Sequence, residues 1–317
     1  MSLADAEVHV PAGPSGVAPA AGAPGGPPTA NTSRRPSVRS LFTQPVFLVG
    51  LVLVLAPLIG SYIARAFIGN HGLQVFAYNP SLPPSQRNLL GTDSAGRDVF
   101  TSLVYGTPPT YELGLIGGGA GTALGAIVGL VAAYYGGPVD TFLRGVSDVL
   151  IGIPPIAILI VITVLYNISS VEVLALLLAF VGWPLGARGI RSQVLSLREQ
   201  PFVVVARLSN RSALGIMFAE IFPNMSALVT ANLVGGIFGS LGTAIALQLL
   251  GVGPTTVPSW GLTLQTAITG GALSEGLWWW WASPAGLLII LFLGLFCLTL
   301  ALDQVANPRL RLAGAGG

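Results

Sequence analysis

The sequence predicts an all-α integral membrane protein with six transmembrane helices. Three observations predict it. Of 317 residues, 52% are hydrophobic and only 8% are charged, where a soluble domain carries roughly a quarter, and the mean hydropathy is +0.77. Apolar segments long enough to cross a core of about 30 Å, at about 1.5 Å per residue, occur six times. Arginine collects on alternate connections between them.

The chain opens with a stretch rich in Pro, Gly, Ala and Ser, residues 1–44, ending in a basic patch of Arg34, Arg35 and Arg39. It has no apolar stretch after a basic start, so it does not read as a signal peptide. Such a composition buries too little surface to fold, and we expect a disordered cytoplasmic tail. The first span is 46–67, with Arg65 placed to snorkel at its end. It opens an expected unit, 45–110, that also holds an external segment.

That segment contains LLGTDSAGRDVF, two aspartates and an arginine in a chain poor in charge. Asp93 or Ser94 is expected to cap a short amphipathic helix, with Val99 beside Leu103, Phe100 beside Val104, and Arg97 and Asp98 on the polar side. Gly106 is expected to end it, and Thr107, Pro108 and Pro109 to turn the chain into the second span. It is no catalytic dyad, because adjacent residues point to different faces. Contact with an external protein or a plain interfacial cap are the two readings.

The core unit is expected over 111–306. The second span, 111–135, carries Gly117, Gly121, Gly125 and Gly129, spaced four apart, a stripe that lets another helix approach closely. The third span, 149–166, has Pro154 and Pro155 in its first turns and forms a hairpin with the fourth, 171–187. Before it, Asp140, Arg144 and Asp148 would form an ion-pair row on a helix. The fifth span, 227–250, repeats the glycine device with Gly235 and Gly239. The arginine-free connection 251–277 leads to the sixth span, 278–302, which contains the single cysteine, Cys297. A short tail, 307–317, follows. With both termini inside, eleven arginines are cytoplasmic and only Arg65, Arg87 and Arg97 lie outside, which fits the positive-inside rule.

The composition also excludes. A net charge of +2 gives no argument for nucleic acid, and one cysteine forms no intrachain disulfide. The spans hold almost no ionisable residue, against an ion-coupled carrier or an intramembrane enzyme. No Walker A, HExxH or GxSxG pattern appears. No metal site and no cofactor of its own is expected.

The longest cytoplasmic connection, 187–228, predicts helix, tight turn, helix. Pro201 suits a first helical position. Ser209 and Asn210 break the run, asparagine tolerating the left-handed conformation. Ser212 caps a second helix over 213–221, which Pro223 stops. Exposed apolar residues such as Phe218 leave two readings, an interfacial helix on anionic lipid or a docking element for a cytosolic partner.

This loop resembles the EAA loop of binding-protein-dependent ABC importer permeases, in Val204, Val205, Ala206, then Asn210, then Ile221, Phe222, Pro223 and Asn224. Valine replaces the acidic residue and the first alanine, and asparagine the glycine. Three further stretches resemble the C-type subunit of the peptide (oligopeptide, dipeptide, nickel) permeases. GTDSAGRDVFTSLVYG is similar to GTDxxGRDVxSRLxYG, GGPVDTFLRGVSDVLIGIPP to GGxxDxxxMRxxDxxxxxP, and LLGVGPTTVPSWGLTL to FLGLGxxPPxPSWGxML. Asn307, Pro308, Arg309 and Leu310 stand where that group has Asp-Pro-Arg-Leu.

The resemblance implies a type I ABC importer permease fold with a cytoplasmic coupling helix. It implies a subunit of the cell (inner) membrane that passes peptides inward and performs no chemistry itself. Implied partners are a homologous second permease, one or two cytosolic ATPases that bind ATP and Mg, and an extracytoplasmic substrate-binding protein, all around the lipid bilayer. The implied ATPase-coupling residues are Val204, Val205, Ala206, Arg207, Ser209, Asn210, Arg211, Ser212, Ala213 and Pro223. Thr122, Asn232, Thr243 and Gln248 are candidates for the translocation path by polarity alone. Nickel chelates, haem or another small solute remain alternative cargoes. A stand-alone channel or secondary carrier is the alternative of a different class.

Overall fold

The computed structural model describes residues 44–306, most of them helical, with a long non-helical segment over 74–98. The expectations for the N-terminal tail and for residues 307–317 lie outside the described residues. Helix α1 is Pro45–Phe67, α2 Val99–Tyr135, α3 Gly137–Gly152, α4 Pro155–Leu165 and α5 Val171–Leu197. The short helices α6 (Pro201–Leu208), α7 (Ala213–Ile216) and α8 (Phe222–Asn224) follow, with a π-helical turn, Met217–Ile221, between the last two. Helix α9 is Ser226–Leu249, α10 Trp260–Thr269 and α11 Trp278–Ala306. Among the described residues, five helices are long and apolar enough to cross a membrane, and the bent pair α3–α4 makes a sixth candidate.

The mast of the bundle is α2. Its 37 residues run about 56 Å at about 1.5 Å each, so it outruns the apolar layer. It is one helix, where a short helix, a turn and a span were expected. Pro108 and Pro109 lack the N–H groups that would bond the carbonyls of Val104 and Tyr105. The Tyr105 carbonyl instead accepts a hydrogen bond from Arg65 Nη2 at 2.7 Å, so the helix continues. Gly106 does not end it. A Cβ there would sit 3.0 Å from Ser259 Cα, so its glycine admits the chain that leads into α10. The cap is Asp98, whose carboxylate accepts from the Phe100 N–H at 3.0 Å.

Asp93 serves its own loop. It accepts from the N–H groups of Ala95 and Arg97 and pairs with Arg97 Nε at 2.7 Å. Asp93 and Asp98 are both buried, so Asp98 does not lie on the polar side as expected. Burial raises the Asp98 carboxyl above its ordinary value, against hydrogen bonds from Thr101 and the backbone that pull it down.

The glycine stripe of α2 is a seam against two neighbours. A Cβ at Gly125 would meet Trp183 O at 2.7 Å, and at Gly129 Ala187 O at 2.6 Å, both on α5. At Gly118 it would lie 2.3 Å from Ile237 N on α9. On α9 the partner in this seam is Gly236, against Thr122 and Gly118. The expected Gly235 and Gly239 face open space instead. Gly50 and Gly294 make a second close seam between α1 and α11, beside half-buried Cys297.

The third span is broken. Helices α3 and α4 meet at 82°, because Pro154 cannot continue α3 and Pro155 starts α4. Helix α5 passes Pro184 and reaches Leu197, ten residues beyond the expected end. Its extension brings Arg188 and Arg191 over α3. Arg191 holds Asp140 through two bonds of 2.5 and 2.6 Å, and Arg188 holds Asp148 at 2.6 Å. The expected row along α3 survives only in the long Arg144–Asp148 pair, 3.4 Å.

Candidate functional site

Two features stand out, and they share the same two helices. The first is a cavity of about 400 Å³ bounded by α2, α5 and α9, with α3 and α4 closing one side. Glycine dominates its wall from α2 and α9: Gly117, Gly118 and Gly121 on one, Gly235, Gly236 and Gly239 on the other. Gly235 and Gly239 leave open space there, while Gly117, Gly118 and Gly236 let α2 and α9 approach closely.

The polar groups of the cavity are few and uncharged. Thr122 Oγ1 donates to Asn232 O at 3.3 Å, and Thr243 Oγ1 to Gly239 O at 2.9 Å. Ser240 Oγ donates to Leu113 O at 2.8 Å. The Asn232 amide nitrogen is buried and has no protein partner. A buried donor left open costs about 1–3 kcal/mol, so Asn232 carries unspent hydrogen-bonding capacity.

Three of the four path candidates, Thr122, Asn232 and Thr243, therefore line one cavity. Gln248 does not. It is buried further along α9, where its Oε1 accepts from Ser259 Oγ at 3.1 Å and lies against Gly261. Its polarity is spent on tying α9 to α10.

The second feature is the segment α6–α8. Asn210 adopts φ +56 and closes the turn between α6 and α7. Ser212 caps α7 by accepting from the Gly215 N–H at 3.1 Å. Pro223 does not stop the second helix. The wide turn Met217–Ile221 absorbs it, and the helix runs on to Asn224.

One face of this segment is buried and the other is bare. Val203, Ala206, Ile216, Met217 and Ile221 pack with Ala126, Leu130 and Ala133 of α2 and with Ile190 and Val194 of α5. Val204, Val205, Leu208, Leu214 and Phe218 remain exposed, Leu208 at 82%. Arg207 lies over the Tyr134 ring at 5.6 Å and Arg211 pairs with Glu220. Arg198 Nη1 donates to Ala133 O at 2.7 Å, fastening α5 to the end of α2. Ala213 is half-buried and Ser209 is exposed, its hydroxyl turned back to Val205 O.

The sequence of residues 121–312 matches the profile of the family described as "binding-protein-dependent transport system inner membrane component". The chain belongs to that family. The match begins at Gly121, inside α2, and takes in both the α6–α8 segment and most of the cavity wall. Among curated relatives, a putative peptide transport system permease protein of Brucella suis is 31% identical over 88% of this chain and 93% of its own. The dipeptide transport system permease protein DppC of Alkalihalophilus pseudofirmus is 28% identical over 74% of this chain and 78% of its own. The oligopeptide transport system permease protein OppC of Bacillus subtilis is 24% identical over 83% and 86%.

As an inner membrane component, the chain is a multi-pass membrane protein of a transport system. Among the described residues, no group of three or more His, Cys, Asp or Glu is placed to hold a metal ion. Sequence reasoning missed α10 of this component and its anchor, Trp260. That indole is fully buried, donates to Leu103 O at 3.1 Å and packs edge-on to Tyr111. The signal was there: Ser259 caps α10 by accepting from Leu262 N, directly after Pro258.

Proposed function

We propose that this chain is the permease subunit of an ATP-binding-cassette importer that passes peptides into the cytoplasm. The names of its relatives support peptides as the cargo. The arginine distribution supports an orientation with both termini and the α6–α8 segment in the cytoplasm. ATP and Mg belong to partner ATPases that grip the exposed face of that segment. A second, homologous permease supplies the other wall of the path. An extracytoplasmic binding protein delivers the cargo at the opposite end, where Asp93 and Arg97 lie.

One observation carries this reading. The buried face of α6–α8 packs on α2 and α5, and the same two helices form walls of the cavity. On α2 the contact residue Ala126 is one helical turn from Thr122. A pull on the segment therefore moves a path wall as a rigid body, the kind of switch that couples distant sites. Val204 and Val205 would meet the ATPase through apolar contact, and Arg207, Ser209, Asn210, Arg211, Ser212, Ala213 and Pro223 would shape the handle.

The test is to replace residues 207–213 with a Gly/Ser linker in the assembled importer and measure peptide uptake in proteoliposomes together with ATPase retention. The expected result is loss of uptake with the ATPase released. Intact uptake with the ATPase still bound would reject the coupling role. Uptake of a nickel chelate or haem in place of peptide would keep the role and change the cargo.

A further inference from the structure

A separate cavity of about 570 Å³ lies between α2, α3 and α5, at the same end of the bundle as α6–α8. Val128, Ala132, Leu143 and Ala187 form its apolar side, and Arg144, Arg188 and Arg191 its basic one. Among the described residues, the three guanidiniums share two carboxylates. Arg191 is engaged twice by Asp140. Asp148 is divided between Arg188, at 2.6 Å, and Arg144, at 3.4 Å. One positive charge is thus in surplus. Arg144 and Arg188 each spend one donor on protein, of five that a guanidinium carries. Their side chains are 63% and 57% exposed.

The setting fixes the depth. Helix α3 carries Val139, Phe142, Val146 and Val149 exposed along one stripe, at spacings of three and four, away from the face that bears Asp140, Arg144 and Asp148. A short helix with a bare apolar stripe and a charged face lies in a membrane interface, and α3 turns 82° from α4. That placement of α3 would bring the arginine cavity behind the stripe to the level of lipid phosphates, with apolar walls suited to the first methylenes of an acyl chain.

We propose that the α2–α3–α5 cavity is a binding site for the phosphate headgroup of an anionic phospholipid. Arg144 and Arg188 fork onto the phosphate oxygens, the geometry guanidinium favours, while Arg191 stays on Asp140 and keeps α3 against α5. Basic pockets between helices at the membrane surface recognise such headgroups by the same electrostatics.

The test uses the full-length chain in its complex, taken from mixed phosphatidylglycerol and phosphatidylcholine vesicles, with retained lipid counted by native mass spectrometry. The wild type is expected to retain phosphatidylglycerol preferentially. The pair Arg144→Gln and Arg188→Gln lowers that preference at least about tenfold, since one lost charge-assisted hydrogen bond alone is on that scale. Asp148→Asn raises it, because it removes a competing carboxylate and frees both guanidiniums, a gain that misfolding cannot produce. Millimolar inorganic phosphate leaves the preference unchanged.

Equal retention in the wild type and the paired variant would overturn the site. So would loss of lipid in all variants, Asp148→Asn included, which marks a merely structural ion-pair lock. Displacement of lipid by inorganic phosphate would make it a free-phosphate site. Release of the ATPase with lipid retained would make it a protein contact.

Discussion

At the scale of single residues, the fold depends on places where a side chain is missing. Gly118 meets the α9 backbone so closely that a Cβ would stand 2.3 Å from Ile237 N. Gly118→Ala is expected to cost about 1–3 kcal/mol, the range for overpacking a tight contact, read as a lower unfolding temperature in detergent. Gly235→Ala should instead stabilise by about 0.5–1 kcal/mol, the helix-interior advantage of alanine over glycine, since nothing lies within 4 Å of its added Cβ. Asp98 supplies a prediction of a different kind. Its folded carboxyl titrates above the unfolded one because it is buried, so the native state holds its proton more tightly. Stability from this group is present below the unfolded value, near 3.8, and is lost as pH rises through the folded one. Asp98→Asn keeps the acceptor for Phe100 and removes the ionisation. Its stability relative to the wild type should therefore grow as pH rises across that window, measured by thermal unfolding at stepped pH. A flat difference would show that Asp98 is not desolvated.

At the scale of elements, α2 shows how a distant residue overrides a local rule. Two consecutive prolines and a preceding glycine spell a turn to any reading of the sequence. The helix persists because Arg65, forty residues earlier, caps the Tyr105 carbonyl and lies over the Tyr105 ring at 4.5 Å. Arg65→Ala should cost about 1 kcal/mol, as a part-buried acceptor loses its charged donor, and should loosen α2 around Pro108 in hydrogen exchange. Unchanged exchange there would mean that the helix needs no such help. The same contrast explains what the sequence made legible. Spans α1, α9 and α11 follow from run length alone, and the α6–α7 turn follows from Pro201, Asn210 and Ser212, whose chemistry is local. What stayed hidden rests on partners far along the chain. Arg191 reaching Asp140 is an example, and so is Gln248, which looked like a path residue until Ser259 and Gly261 closed over it. Gly235 and Gly236 are neighbours in sequence, yet one faces a cavity and the other a helix.

At the scale of the whole molecule, the proposed handle is joined to a wall of the cavity. The α6–α8 segment keeps one apolar face buried on α2 and α5 and leaves the other exposed, and the cavity with Thr122, Asn232 and Thr243 lies on the same helices. The single cysteine makes the central claim directly testable. In a Cys297→Ser background, Asn210→Cys would be treated with a membrane-impermeant maleimide in right-side-out and inside-out vesicles, with and without the ATPase. The expected result is labelling only from the cytoplasmic side, suppressed when the ATPase binds. Labelling from the exterior, or labelling that bound ATPase leaves unchanged, would contradict the turn's role as the handle.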